Sequence, residues 1–269
     1  MTFRISQRLM SVIVAFMIPL AVLLYFVIDG IDANIRFSQL ETEGNAYQRV
    51  LERLLENVTR LHSTRVIAAG QLSEEQKLIG SIDTEFAGLK EVQARYGEDL
   101  QFTKEGLGNR GRGNLALENV MDKWQALKSN SLYGTDANEG FASLIADLRG
   151  MIAHAGDTSN LILDPDLDSY YTMDVTLLAL PQTQDRLNAL TTYLYPLIMR
   201  GEILSPQERL QVGIHARMLK EADMGRIQAS LDTAFKEDKN FYGASDSLQG
   251  KIGPKLEAYV KTNTALIDS

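Results

Sequence analysis

The 269-residue chain has no cysteine, only three histidines and six prolines, and a single tryptophan. Without thiols there is no disulfide staple, no thiolate zinc or iron–sulfur centre and no cysteine nucleophile, and the chain suits oxidising and reducing surroundings alike. His62, His154 and His215 stand at no metal-ligating spacing, so neither zinc nor haem is expected, nor any other cofactor. Basic residues are in deficit, 27 against 35 acidic, for a formal charge of -8. An acidic chain without a basic stripe excludes nucleic acid as an expected partner. Strand-like alternation never extends beyond a few residues, which points to an all-α protein.

One long apolar run is present. Leu9 to Ile28 reads LMSVIVAFMIPLAVLLYFVI without a charge, and at about 1.5 Å per residue it matches the hydrocarbon thickness of a bilayer. It exceeds a signal-peptide core, and Asp29, Gly30, Ile31 and Asp32 offer no cleavage site, so it reads as an uncleaved anchor. Pro19 would bend it slightly, and Tyr25 and Phe26 suit the outer interface. Arg4 and Arg8 precede the run and Asp29 and Asp32 follow it, which places residues 1–8 in the cytoplasm and residues 29–269 outside it. Beyond Ile28 the chain keeps 25 basic and 35 acidic residues, a charge of -10. The last stretch, EAYVKTNTALIDS, stops inside a helical pattern without a cap, as a fragment of a longer protein would.

Helical periodicity dominates the rest. Phe37, Leu40, Gly44, Tyr47, Leu51, Leu54, Val58, Leu61, Arg65 and Ala68 alternate spacings of three and four, a heptad seam on a helix continuous with the membrane run. From Asp32 to Ala69 that helix would be roughly 55 Å long. Gly44 permits close helix approach, and Arg65 aims a guanidinium inward. Ser73 to Gln76 reads as a capping box opening a second helix with the face Ile79, Ile82, Phe86, Leu89, Gln93, Tyr96, ended by Gly97. Gly106 to Asn114 reads as a loop, Leu115 to Ser129 as a third helix, and Phe141, Leu144, Leu148, Ile152, Ala155, Ser159 and Ile162 as the face of a fourth. Asp164 is expected to cap the next helix with Pro165 at its first position. That fifth helix carries Met173, Leu177, Leu180, Gln184, Leu187, Thr191, Leu194 and Ile198, with Pro181 ending or kinking it. Ser205 to Glu208 is a second capping box, opening a helix to about Lys239, and Gly253-Pro254 breaks or delays a last one. The architecture expected is an elongated up-down bundle, or two stacked four-helix bundles.

The stretch DTSNLILDPDLDSYYTMD, Asp157 to Asp174, followed by Leu180-Pro181, resembles a segment of the exported sensor regions of bacterial methyl-accepting chemotaxis proteins and some membrane sensor histidine kinases. The order of parts agrees: an N-terminal anchor, then a long first helix containing EGNAYQRVLERLL, Glu43 to Leu55. The resemblance implies a homodimeric receptor in the inner membrane with a periplasmic sensor region at 29–269. A second membrane span and a cytoplasmic signalling part, which engages a kinase and an adaptor, would lie outside this chain. A small piston or rotation of a membrane helix would carry the signal.

Arg65 is the leading candidate for ligand contact, set against a rim arginine or an internal ion pair. Arg60 and His62 beside it, with His215 and Arg217 further on, would complete an anion pocket. The ligand expected is then a small molecule, with an anion or carboxylate the class that inward arginines take. Tyr170, Tyr171 and Asp174 could line a pocket beneath the Asp164 cap. Asp164, Asp166 and Asp168 begin like a calcium loop, but Ser169 and Val175 stand where glycine and glutamate are needed. His154, Asp157 and Ser159 are neighbours on one helix, with neither an oxyanion hole nor a nucleophile elbow, so no catalytic residue is expected. The leading function is a chemotaxis receptor's sensory region. Alternatives are the input domain of a sensor kinase or cyclic-dinucleotide enzyme, and a membrane-anchored scaffold, which would need an uninterrupted apolar seam and no cavity.

Overall fold

The computed structural model describes residues 5–67, 72–129, 135–239, 243–245 and 247–268, which are helices and short connections with no strand among them. The helices are α1 (Ile5–Ile67), α2 (Leu72–Tyr96), α3 (Lys104–Asn109), α4 (Leu117–Ser129), α5 (Thr135–Thr158), α6 (Leu167–Asp174), α7 (Leu180–Arg200), α8 (Pro206–Arg217), α9 (Gly225–Glu237) and α10 (Leu248–Asp268). Arg4, Ala68, Ala69 and Gly70 lie outside the described residues.

α1 is one uninterrupted helix of 63 residues, about 95 Å long. Its N-terminal part, with a window of mean hydropathy 2.7 and no side chain buried, is long and apolar enough to cross a membrane. Beyond it the seam side chains from Gly44 to Arg65 are all buried. The seam packs within one chain, because α2, α5 and α7 surround α1. With three neighbours, one apolar stripe is not enough, and Val50, Leu55, Thr59 and His62 are buried beside the seam. Gly44 serves close approach as expected: a Cβ there would lie 2.2 Å from the Cβ of Ser159.

The main core joins this part of α1 to Ile82, Phe86 and Leu89 of α2, Trp124 of α4 and Phe141, Leu144, Leu148 and Ile152 of α5. Gln93, at a seam position of α2, is a bridge: it accepts a hydrogen bond from the Tyr47 hydroxyl at 2.6 Å and donates to the Phe102 carbonyl at 3.1 Å. α6 and α7 form one rod joined by a π-helical turn over Val175–Ala179, and α8 and α9 form another through a π-helical turn over Met218–Met224. Pro181 explains the first bulge, since it has no N–H to donate and its ring crowds the carbonyl one turn back. A second, smaller core packs Val175 and Ala179 on Ile227 and Leu231, flanked by Ile252 and Leu256 of α10. This second group of helices lies beside α1, sharing the α6–α7 rod with the first.

Several local expectations are corrected. Gly106–Asn114 is not all loop: Thr103 caps α3 by accepting from the Gly106 N–H at 3.0 Å. Helix α2 includes Leu72 and Ser73, so the expected box at Ser73 lies inside it. The N-cap of α6 is Asp166, not Asp164, because Pro165 keeps the preceding chain extended and Asp164 instead accepts from the Asp166 N–H at 3.0 Å. Pro254 sits inside α10, which has already begun at Leu248. The Ser205 box forms in full, with Pro206 in the first turn and Glu208 answering the Ser205 N–H.

The Gly44 contact generates a prediction. Gly44→Val must part α1 from Ser159 and is expected to cost about 2 kcal/mol or more, against a few tenths for Gly30→Val, whose site is open; thermal unfolding of the full chain in detergent reads the difference.

Candidate functional site

The described residues form an open groove of about 600 Å3 between α1 and α7, bounded on one side by Glu74 of α2. Its lining comes from Glu56, Thr59, Arg60, Ser63, Thr64 and Ile67 of α1, Glu74 of α2, and Gln184, Leu187, Asn188 and Thr191 of α7. Helical spacing explains the set. Glu56, Arg60, Ser63 and Ile67 follow one face of α1, and Gln184, Leu187, Asn188 and Thr191 follow one face of α7. Gln184 and Thr191 are therefore not defects in an apolar seam; they line a cavity. Neither Gln184 nor Thr64 has a side-chain hydrogen-bond partner among the described residues.

Behind the groove runs a buried polar relay. The Asn188 side-chain amide donates to Nδ1 of His62 at 2.9 Å, and its carbonyl oxygen accepts from Ser63 Oγ at 3.1 Å. Nε2 of His62 donates to Asn138 Oδ1 of α5 at 2.7 Å, and the ring stacks on Phe141 at 4.6 Å. These bonds assign the neutral Nε2–H tautomer. Burial, with the Arg65 guanidinium nearby, holds the His62 pKa below its ordinary value, partly offset by the two asparagine bonds.

Arg65 is buried, and its charge is answered inside the protein. Its Nε donates to Glu75 at 2.7 Å, its guanidinium to the Leu127 carbonyl at 3.0 Å, and it lies 5.5 Å over the Phe141 ring. One side chain thus ties α1 to α2, α4 and α5, with 2% of it exposed. Of the two outcomes weighed for this residue, the geometry is that of the internal ion pair. Arg60 lines the groove, 3.7 Å from both Glu56 and Glu74.

The remaining candidates lie elsewhere. Tyr170 and Tyr171 meet edge to face at 5.3 Å on α6. Asp174 is paired with Arg226 and accepts from Ser230, fastening α6 to α9. Arg217 pairs with Glu221 on its own rod, exposed, and His215 meets Gln211 one turn away. His154 is held by Arg112 and the Gln101 carbonyl, so it faces the α3 connection and not Ser159. Among the described residues no group of three or more His, Asp or Glu is placed to hold a metal ion. Asn138, Asn188 and Ser63 were not singled out from the sequence, since an isolated asparagine or serine on a helix carries no periodic signal.

Two predictions follow from these bonds. Arg65→Ala removes the cation buried beside Glu75 and the Leu127 carbonyl and should cost about 3–5 kcal/mol, and adding Glu75→Gln should recover part of that loss in denaturant unfolding. His62 is neutral when folded and titrates near 6.5 when unfolded. Its contribution is complete above that pH and is lost as pH falls from there towards the folded value, since the unfolded chain then binds the extra proton. The melting temperature of the full chain should fall across that window, and less steeply in His62→Gln. Compared with protein-family models, with curated proteins and with solved structures, the chain gives no match.

Proposed function

We propose that this chain is the sensory part of a chemoreceptor anchored in the inner membrane, that residues 29–269 lie on the periplasmic side, and that the α1–α7 groove holds its small-molecule ligand. One observation carries the reading. The groove has α1 as a wall, and α1 runs unbroken from the groove into the apolar segment. A rod of that kind passes axial displacement on with little loss. The resemblance of Asp157–Asp174 to chemotaxis sensor regions supports the same assignment, together with the homodimer and the cytoplasmic kinase and adaptor it implies.

The relay supplies the coupling. Asn188 reaches from α7 to two residues of α1, His62 and Ser63. A ligand that competes for Asn188, or draws α7 towards α1, changes the free energy of two arrangements of these helices by its differential affinity for them. Small helix shifts are among the ordinary consequences. A scaffold would need neither this groove nor the His62–Asn188 relay behind it.

The test is thermal unfolding of the full chain in phosphatidylcholine nanodiscs, against panels of amines, amino acids, carboxylates and inorganic anions. A ligand at 100 times its dissociation constant adds about 2.7 kcal/mol. One class should raise the melting temperature, and Thr191→Trp, which fills the groove, should abolish the shift without lowering the baseline. No shift with any panel member, or a shift indifferent to Thr191→Trp, overturns the assignment of the groove.

A further inference from the structure

Most of the hydroxyls that line the groove offer a ligand acceptors only. Each hydroxyl has one proton, and three of the four lining hydroxyls spend it inside the protein: Thr59 on the carbonyls of Leu55 and Glu56 at 3.0 and 2.9 Å, Ser63 on Asn188 Oδ1 at 3.1 Å, Thr191 on the Leu187 carbonyl at 2.8 Å. What they turn to a ligand is lone pairs. Glu56 and Glu74 lie 3.7 Å from Arg60, beyond N–H···O hydrogen-bonding range, so both keep their accepting capacity.

The groove continues along α1 into a cleft of about 290 Å3 that shares Glu56 and Gln184 with it and adds Glu52, Arg53, Thr176, Leu180 and Pro181. Arg53 is committed to both oxygens of Glu85 at 3.0 Å. Three carboxylates, Glu52, Glu56 and Glu74, therefore line the channel; Arg60 pairs loosely with the last two at 3.7 Å, and Arg49 and Arg53 stand near Glu52, so the groove itself, lined by Glu56, Glu74 and one guanidinium, keeps an excess of negative charge. Glu52 accepts from Gln48 at 2.6 Å, and burial pushes its carboxyl above the ordinary value, partly offset by that bond and by Arg49 and Arg53. Glu52 and Glu56 are one helical turn apart, about 6 Å along the axis, close to the span of a four-carbon diamine.

Resting on the receptor reading above, we infer that the ligand of this groove is an aliphatic amine, with one ammonium group held by Glu56 and Glu74 and, in a linear diamine, the second by Glu52. Leu187, Leu180 and Pro181 flank the path of the methylene chain. An anion is disfavoured in this reading: Arg65 is already paired with Glu75, and a dicarboxylate would meet carboxylates of its own sign.

The experiment is titration calorimetry of the full chain in phosphatidylcholine nanodiscs, with empty discs as blank, using 1,4-diaminobutane, butylamine and succinate. The diamine should bind one to one, butylamine about tenfold more weakly, and succinate not at all; Glu56→Gln and Glu74→Gln should each weaken the diamine by about tenfold, while Glu221→Gln, on the exposed Arg217 pair away from the groove, leaves it unchanged. Diamine binding that ignores both Gln variants overturns the site. Binding of succinate, abolished by Thr191→Trp, with none of the diamine overturns the amine and leaves the groove as a receptor site. No binding by any probe overturns the amine assignment, and the wider panel then decides the receptor reading separately.

Discussion

Everything in this molecule is arranged around the requirement that one helix serve several neighbours at once. α1 must present an apolar seam to α2 and α5, a second flank to α7, and an uncharged, largely apolar circumference from Leu9 to Ile28. A helix with a single stripe satisfies one neighbour; α1 buries Val50, Leu55, Thr59 and His62 in addition to its heptad positions. The surplus is partly polar, and each buried polar group needs a partner. Those partners, Asn138, Asn188, Glu75 and the Leu127 carbonyl, come from four different helices and set the height at which each docks on α1.

Polar pairing also divides the molecule into rigid and adjustable parts. Around Arg65 the pairing is closed and largely dry, which stabilises the end of the main core but leaves nothing for a ligand. On the α7 side Gln184 and Thr64 are unpartnered among the described residues and Arg60 holds its two glutamates loosely. The π-helical turn before Pro181 lies just below this face of α7, where a helix with a displaced hydrogen-bond register gives more easily than a regular one. Ligand capture and helix adjustment would thus occupy neighbouring turns of the same rod.

An arginine's position in a helical repeat leaves its counter-charge open. Inward arginine suggests an anion only while its counter-charge is unknown. Glu75 is ten residues from Arg65 in sequence, across a helix end, and Glu74 reaches Arg60 in the same way. Nothing in the periodicity of either helix marks those pairings. Once they are placed, each of the two arginines has a carboxylate beside it.

Length and apolarity determined the segment able to cross a membrane, and the alternation of threes and fours determined the helices of the main core, because burial of one helix face leaves a periodic trace in sequence. Gly44, the Ser205 box and the fourth-helix face were legible for the same local reason. The start of α6, the course of α10 through Pro254 and the helical turn at Lys104–Asn109 were decided by context, since proline and glycine restrict the backbone without dictating which side of them a helix begins. The groove belongs wholly to the tertiary structure. It exists because α7 lies along α1 at a height fixed by Asn188, His62 and Ser63, and the contact of residues 125 and 126 positions apart has no signature in a single chain's sequence.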